Sequence, residues 1–460
     1  MDNLFGRTII YSNVEEIDRE NVVNVIQQAY GVHQTNQSQI EYLYNYYKGD
    51  QPILDRVKAV RPDINYTIVE NRAKEIVDFK TGYLIGDPIQ YIGDEDVSED
   101  QIKALNDIMD YEDKFSKDEE LVEWGFICGT SYRMVLPSES VDEDAGDAPI
   151  NIYTLDPRQA FVVYSSGFAH EPLAGVYTVV DEENQTNLYV YTKDKFFRIV
   201  SGEVQEASAN GIGMIPIIEY PSNNARLGAF EGVIGLLDAI NLVDSDRVNA
   251  VSQFVQSLIV ATNCNFEDGV TAEDMMAAGI VSLTSKDGLN QDLKILTQEL
   301  NQTQTQTLKN DMYDAVLTIC SMPNRNTNSD GDTGVAVMYR DGWGAAETSA
   351  KKSEVIIRKS EKQFLKVAFQ IMASTFGPDL KVGDVEIKFT RRNFEYITQK
   401  AEVLNKMLDN PKIAPRLGFI YSNMFPDPEE AYRESLPYIE AATNAAVRED
   451  EQTQEDREVL

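Results

Sequence analysis

Four short polar side chains at alternate positions, Asn326, Asn328, Asp330 and Asp332, could ligate a hard cation. Gly331 is the sixth residue of that run, where the loop of a calcium-binding EF-hand makes its sharp turn. The twelfth position, which supplies a bidentate glutamate in such loops, is Val337, and the first ligand is Asn rather than Asp. A calcium site is therefore not expected. Asp330 and Asp332 could instead serve a metal-dependent nuclease. Two-metal hydrolysis needs carboxylates converging from a rigid scaffold, whereas these lie in a polar, glycine-punctuated stretch, 324–334. Thr333 closes that stretch before Gly334. Arg325 and Arg340 flank it without an acidic partner at helical spacing, and Lys351, Lys352 and Arg358 follow on a basic segment. Cationic groups on and beside a mobile polar loop can touch phosphates transiently.

Other chemistries find no residues in the right pattern. The two histidines, His33 and His170, read as lying beside glycine-containing turns, without partners at zinc-ligand spacing. There is no G-x-x-x-x-G-K-[ST] loop and no G-x-S-x-G elbow, which argues against an ATPase and a serine hydrolase. Cys128, Cys264 and Cys320 lie far apart among apolar or small residues, as expected of reduced, partly buried thiols. No enzyme activity, cofactor or metal is expected.

The surrounding chain is acidic: 460 residues carry a formal net charge of -35. Such a surface repels polyanions and argues against non-specific coating of DNA, yet it suits a wall past which DNA must slide. A 42% hydrophobic composition marks a globular protein with enough length for two to four domains. The start lacks a basic segment followed by an apolar core, so no secretory signal is expected. The best apolar run, Val248 to Ala261, is broken by Asn249, Ser252, Gln253, Gln256 and Ser257, so no membrane span is expected.

Periodicity supplies the elements that must position these residues. Short helices open the chain: Ile40, Leu43, Tyr44 and Tyr47 fall at helical spacing up to Gly49, and Val69, Ala73, Ile76 and Val77 mark a second helix up to Gly82. Between Tyr132 and Tyr220, segments 132–136, 161–164, 175–180, 188–192 and 196–200 read as strands of a small antiparallel sheet. A long helix is expected over Gly232 to Asn263, about 45 Å long, and a second over Gln302 to Ser321, stopped by Met322-Pro323. Between them lies a small α/β insert, with 275–278 helical and 280–283 extended. After the polar loop come a helix over Ala345 to Phe376, one strand over 385–389, and helices at Ile397 to Leu408 and near Glu429 to Ala442. On the long helix, Lys351, Arg358 and Lys362 fall on one stripe and Lys352, Lys359 and Lys366 on another. Glu347 with Lys351 and Glu354 with Arg358 have the favourable i,i+4 order.

The order of these parts, from about Gln39 to Tyr438, resembles the portal proteins of long-tailed bacteriophages. The tyrosine-rich stretch 42–49, Asn71-Arg-Ala-Lys-Glu-Ile-Val-Asp78 followed by Thr81-Gly-Tyr-Leu-Ile-Gly-Asp-Pro88, and Leu155-Asp-Pro-Arg-Gln-Ala-Phe-Val-Val-Tyr164 carry the likeness. So do Ile215-Pro-Ile-Ile-Glu-Tyr220 with Asn223-Asn224, and Thr333-Gly-Val-Ala-Val-Met-Tyr339.

The resemblance implies a predominantly helical α+β chain that assembles as a ring, typically of twelve subunits, around double-stranded DNA. It implies a wing at 1–228, to which 379–393 return, a stem helix at 229–263, a clip at 264–301 and a second stem helix at 302–323. A tunnel loop at 324–342, a long wing helix at 343–378, a crown at 394–447 and an acidic disordered tail at 448–460 complete it. Arg325, Asn328, Asp330, Thr333 and Arg340 would then face DNA, with Lys351, Lys352 and Arg358 as a basic channel-side helix. The implied partners are the packaging terminase, a head-completion adaptor, and the major capsid and scaffolding proteins. The implied location is the portal vertex of the virion, after synthesis in the host cytoplasm.

Overall fold

The computed structural model describes residues 6–58, 62–94, 97–138, 147–255, 258–262, 264–265, 284–285, 292–296, 302–324, 342–390 and 397–441, except 423, 426–427, 429 and 440. The fold is α+β and largely helical. After β1 (Ile10–Ser12) come α1 (Val22–Lys48), α2 (Arg72–Leu84), β2 (Gln90–Gly93), α3 (Glu99–Tyr111) and α4 (Lys114–Cys128). Eight strands follow: β3 (Thr130–Pro137), β4 (Ile150–Leu155), β5 (Ala160–Ser165), β6 (Pro172–Val180), β7 (Thr186–Tyr191), β8 (Lys195–Val200), β9 (Glu203–Ala209) and β10 (Ile217–Pro221). Then come α5 (Ile234–Val255), β11 (Leu258–Thr262), β12 (Cys264–Asn265), β13 (Thr284–Ser285), β14 (Asp292–Leu296) and α6 (Gln302–Ile319). The chain ends with α7 (Trp343–Ser374), β15 (Val385–Lys388), α8 (Ile397–Leu408), α9 (Pro415–Ser422) and helical residues 430–439.

The strand-rich middle forms two sheets rather than the single small one expected. Six strands are ordered β1-β5-β6-β7-β8-β9, and three are ordered β10-β3-β4. All pair antiparallel except β1 with β5. The alternation in β5 to β8 places Phe161, Val163, Val176, Val190 and Phe197 on a face covered by Val22, Val25 and Ile26 of α1. A larger core joins α1, α2, α4, α5, the three-stranded sheet and the C-terminal half of α7, with Phe364, Leu365 and Ala368 fully enclosed. β15 pairs antiparallel with β2, Val385 opposite Gly93.

Helix α1 spans 27 residues, so the chain does not open on short helices, and His33 lies inside it rather than beside a turn. Its stop is as read: Gly49 has φ 102, and its N–H reaches back to the Tyr46 carbonyl. Its tyrosines join three helices. Tyr46 donates to Asp238 of α5 at 2.9 Å, Tyr47 to Glu123 of α4 at 2.5 Å, and Tyr44 stacks on Trp124 at 4.8 Å. Asn71 caps α2 through the Lys74 N–H and donates to the Tyr47 carbonyl at 2.8 Å.

The helix expected to reach Asn263 ends at Val255, and Leu258–Thr262 instead pairs antiparallel with Asp292–Leu296. Leu-Ile-Val-Ala-Thr is an apolar run with β-branched residues that fits a strand as well as a helix, and its partner strand decides. The expected helix at 275–278 and strand at 280–283 lie outside the described residues. No described helix is long and apolar enough to cross a membrane.

One feature of α5 ties the sequence to its packing. Asn241, Ser245 and Asn249 are buried, and their oxygens accept from the N–H groups of Glu70, Ile68 and Tyr66 at 2.8, 2.9 and 2.8 Å. Four helical residues rise about 6 Å and two extended ones about 6.6 Å, so every fourth helix residue meets every second N–H. The side chains stand in for a neighbouring strand. Asn241 Nδ2 also donates to Gln51 Oε1 at 2.5 Å. We expect Asn241→Leu to cost about 2 kcal/mol by stranding the Glu70 N–H and the Gln51 amide, read as a lowered urea midpoint.

Candidate functional site

The polar loop is positioned by the two helices that bracket it. Helix α6 ends in a Schellman arrangement: the Met322 N–H bonds the Leu317 carbonyl at 2.8 Å and the Ser321 N–H bonds that of Thr318 at 3.2 Å. Ser321 takes the left-handed conformation, φ 54, and Leu317 and Met322 are both buried. Asn324 Nδ2 donates to Asp314 Oδ1 at 3.1 Å. On the return side Gly342 has φ 87, and a Cβ there would lie 3.2 Å from the Met322 carbonyl oxygen. Its own carbonyl accepts from Ala345 and Ala346, which starts α7. The described chain thus stops at Asn324 and resumes at Gly342 beside the Met322 carbonyl, so the two ends of the segment lie close together. Arg325, Asn328, Asp330, Thr333 and Arg340 lie between these roots, outside the described residues.

The basic helix residues have separate placements. Lys351 is exposed and pairs with Glu347 at 3.4 Å in the expected i,i+4 order, and Lys352 is exposed. Arg358 is half-buried, with its guanidinium 5.8 Å from the centre of the Phe389 ring. It braces α7 against the segment after β15. Lys359, Lys362 and Lys366 are exposed on the same helix.

What holds α7 in place is a cluster that sequence reading missed. Lys114, Asp118, Arg133 and Glu361 are all buried. Lys114 Nζ lies 2.7 Å from Asp118 and 2.8 Å from Glu361, and Arg133 lies 2.5 Å from Asp118 and 3.6 Å from Glu361. Two positive and two negative groups give no net charge. Tyr91 and Tyr220 donate to the two Glu361 oxygens at 2.5 and 2.8 Å. Both cations also face the Phe364 ring at 5.3 Å. Burial disfavours the Glu361 carboxylate, but the Lys114 ammonium and Arg133 guanidinium outweigh it and hold its pKa low. Glu361 is therefore where the long helix is charge-locked to α4, β2, β3 and β10. The only sequence signal was a carboxylate beside the apolar stripe of α7.

A second cluster ties the middles of α5 and α6 to the segment before α2. Lys309 bridges Glu70 at 2.6 Å and Asp244 at 2.8 Å, while Arg72 pairs with Glu70 and Glu75 and lies 4.0 Å from the Tyr313 ring centre. Burial raises the pKa of Asp244, and its hydrogen bond with the Glu70 carboxyl raises it further. Against burial, that same bond together with Lys309 and Arg72 holds Glu70 low.

His33 stacks on Phe161 at 4.6 Å, with Nε2 3.0 Å from the Arg158 carbonyl oxygen, so Nε2 is the protonated nitrogen. Cys128 and Cys320 are buried free thiols. Among the described residues, no group of three or more acidic, histidine or cysteine side chains could hold a metal ion. The described geometry is thus that of a braced scaffold.

The chain is similar to the neck of an empty GTA particle computed with C6 symmetry, at 11% identity and a TM-score of 0.45 over 77% of this chain and 90% of that one. It is also similar to the neck of a native GTA particle computed with C12 symmetry, at 11% identity and a TM-score of 0.44 over 78% and 92%. Likenesses this distant add no argument of their own. No curated protein matches. The decisive match is to a family profile, Phage portal protein, SPP1 Gp6-like, over residues 27–433. The chain belongs to that family, the SPP1 Gp6-like phage portal proteins.

Proposed function

We propose that copies of this portal protein assemble into a ring, with twelve subunits, whose channel passes double-stranded DNA into and out of the capsid at one vertex of the virion. The family match over residues 27–433 carries this reading. The role is structural rather than enzymatic. In it, 1–228 with 379–393 form the wing, 229–255 and 302–323 the stem, 258–301 the clip, 343–378 the long wing helix and 394–447 the crown. Leu258–Thr262 is a strand rather than helix, and we therefore read it with the clip. The packaging terminase and a head-completion adaptor dock on the ring, and capsid and scaffolding proteins surround it. Electron microscopy of the purified protein tests the assembly: rings with a central hole are expected, and monomers at high concentration would oppose it.

In this ring, 324–342 is the tunnel loop. A formal charge of -35 keeps duplex DNA from adhering to the wall. Arg340, with Arg325 second, supplies the transient phosphate contact. Arg340→Ala is expected to leave ring assembly intact and to impair packaging, measured as protected DNA per assembled capsid. A wild-type packaging yield from this variant removes the residue from that role.

A further inference from the structure

Helix α7 carries a charge pattern opposite in sign to the rest of the chain. Its exposed charged residues are all lysines: 351, 352, 359, 362 and 366. Lys351 is paired with Glu347 on the same helix. Lys352, Val355, Lys359, Lys362 and Lys366 succeed one another at alternating steps of three and four residues, and all are exposed, Val355 by 64%. Residues at those steps share one side of a helix, so they form a single straight ridge about 21 Å long. Glu361, Phe364, Leu365 and Ala368 hold the opposite side of α7 in the core. The ridge therefore faces outward.

The whole chain has 76 acidic residues against 41 basic ones and a formal net charge of -35. Copies with that charge repel one another. A ring of such copies gains where cations of one subunit meet carboxylates of the next, and the ridge supplies such cations. Two observations favour a protein surface over DNA as its occupant. Val355 puts exposed hydrocarbon within the ridge, which a phosphate backbone cannot use. The ridge also starts about 15 Å along the helix from Gly342, where the proposed DNA-facing loop ends, and runs away from it.

We propose that the ridge Lys352–Val355–Lys359–Lys362–Lys366 is a contact between copies, docking on carboxylates of the neighbouring subunit. This rests on the ring reading above. Exposed charges of this kind are screened by salt and steer association more than they hold the finished complex. Ring assembly should therefore slow as salt is raised.

Rings assembled from an equal mixture of ¹⁴N- and ¹⁵N-labelled full-length chains, treated with a zero-length carbodiimide and read by mass spectrometry, test the contact. Links from these lysines to carboxylates that join a heavy peptide to a light one are expected. Links confined to one label place the partner carboxylates in the same chain, and rings without links at these lysines leave the ridge in solvent; either result overturns the proposal. If the wild-type chain forms no ring, the ring reading fails and this contact with it. The double substitution Lys359→Glu with Lys362→Glu supplies an independent reading. Both side chains are exposed, so the urea midpoint of the dilute subunit should stay at the wild-type value. Assembly at low salt should slow about tenfold or more. Assembly at the wild-type rate with less DNA packaged would assign the ridge to DNA and overturn the contact between copies.

Discussion

Glu361→Gln destabilises the fold by about 3–5 kcal/mol, the usual cost of breaking a buried ion pair by removing one partner. The substitution keeps size and polarity but leaves Lys114, Asp118 and Arg133 with a net positive charge in the core. It also removes the charged acceptor of the Tyr91 and Tyr220 hydroxyls. The measurement is the urea midpoint of the full-length protein. A paired control separates charge imbalance from lost packing. Replacing Lys114, Asp118, Arg133 and Glu361 together by apolar residues of similar volume should recover most of the loss, because paired buried charges contribute little net stability over well-packed hydrocarbon. If Glu361→Gln unfolds at the wild-type midpoint, the cluster does not lock α7. The pH dependence has a fixed sign. Glu361 has a folded pKa below its unfolded value, so its contribution is present above about pH 4.5 and is lost as pH falls below that.

A second large effect is expected at His33. Burial lowers its pKa from 6.5 to about 4, with the hydrogen bond to the Arg158 carbonyl opposing only in part. The unfolded chain binds the histidine proton near pH 6.5, while the folded chain refuses it until about pH 4. In that window the unfolded state holds more protons, so stability falls on acidification and is regained as pH rises. The difference is about 3 kcal/mol across the window. His33→Phe preserves the stack on Phe161 and should flatten the dependence of the unfolding free energy on pH between 6.5 and 4. An undiminished slope in that variant would place the titration elsewhere. The Glu361 carboxylate acts lower on the scale, so the two contributions can be told apart by pH.

Both effects concern groups whose role depends on packing. No local sequence pattern marks Lys114, Asp118, Arg133 and Glu361 as one cluster. Their burial follows only once α4, β3, β10 and α7 meet, because charges far apart in the chain must neutralise each other. His33 read as a turn residue, since Gly31 suggested a break; in the fold α1 runs straight through it, stabilised by its face against the six-stranded sheet. Asn249 was legible only as a polar interruption that ruled out a membrane span. That it continues the row of Asn241 and Ser245 depends on a segment nearly two hundred residues earlier.

The sequence by itself determined much of the element order: the stop of α1 at Gly49, most of the strands between 130 and 200, helices α6 to α8, the single strand at 385–388, and the family. These follow from short-range physics, the 3.6- and 2-residue apolar periods and the special dihedrals of glycine and proline. Only the tertiary structure decided where α5 yields to a strand, how the strands divide into two sheets, and that the chain ends at Asn324 and Gly342 lie close together. It alone also decided which charges are buried. Such outcomes depend on partners distant in sequence, and long-range pairing energy is not written in any local window.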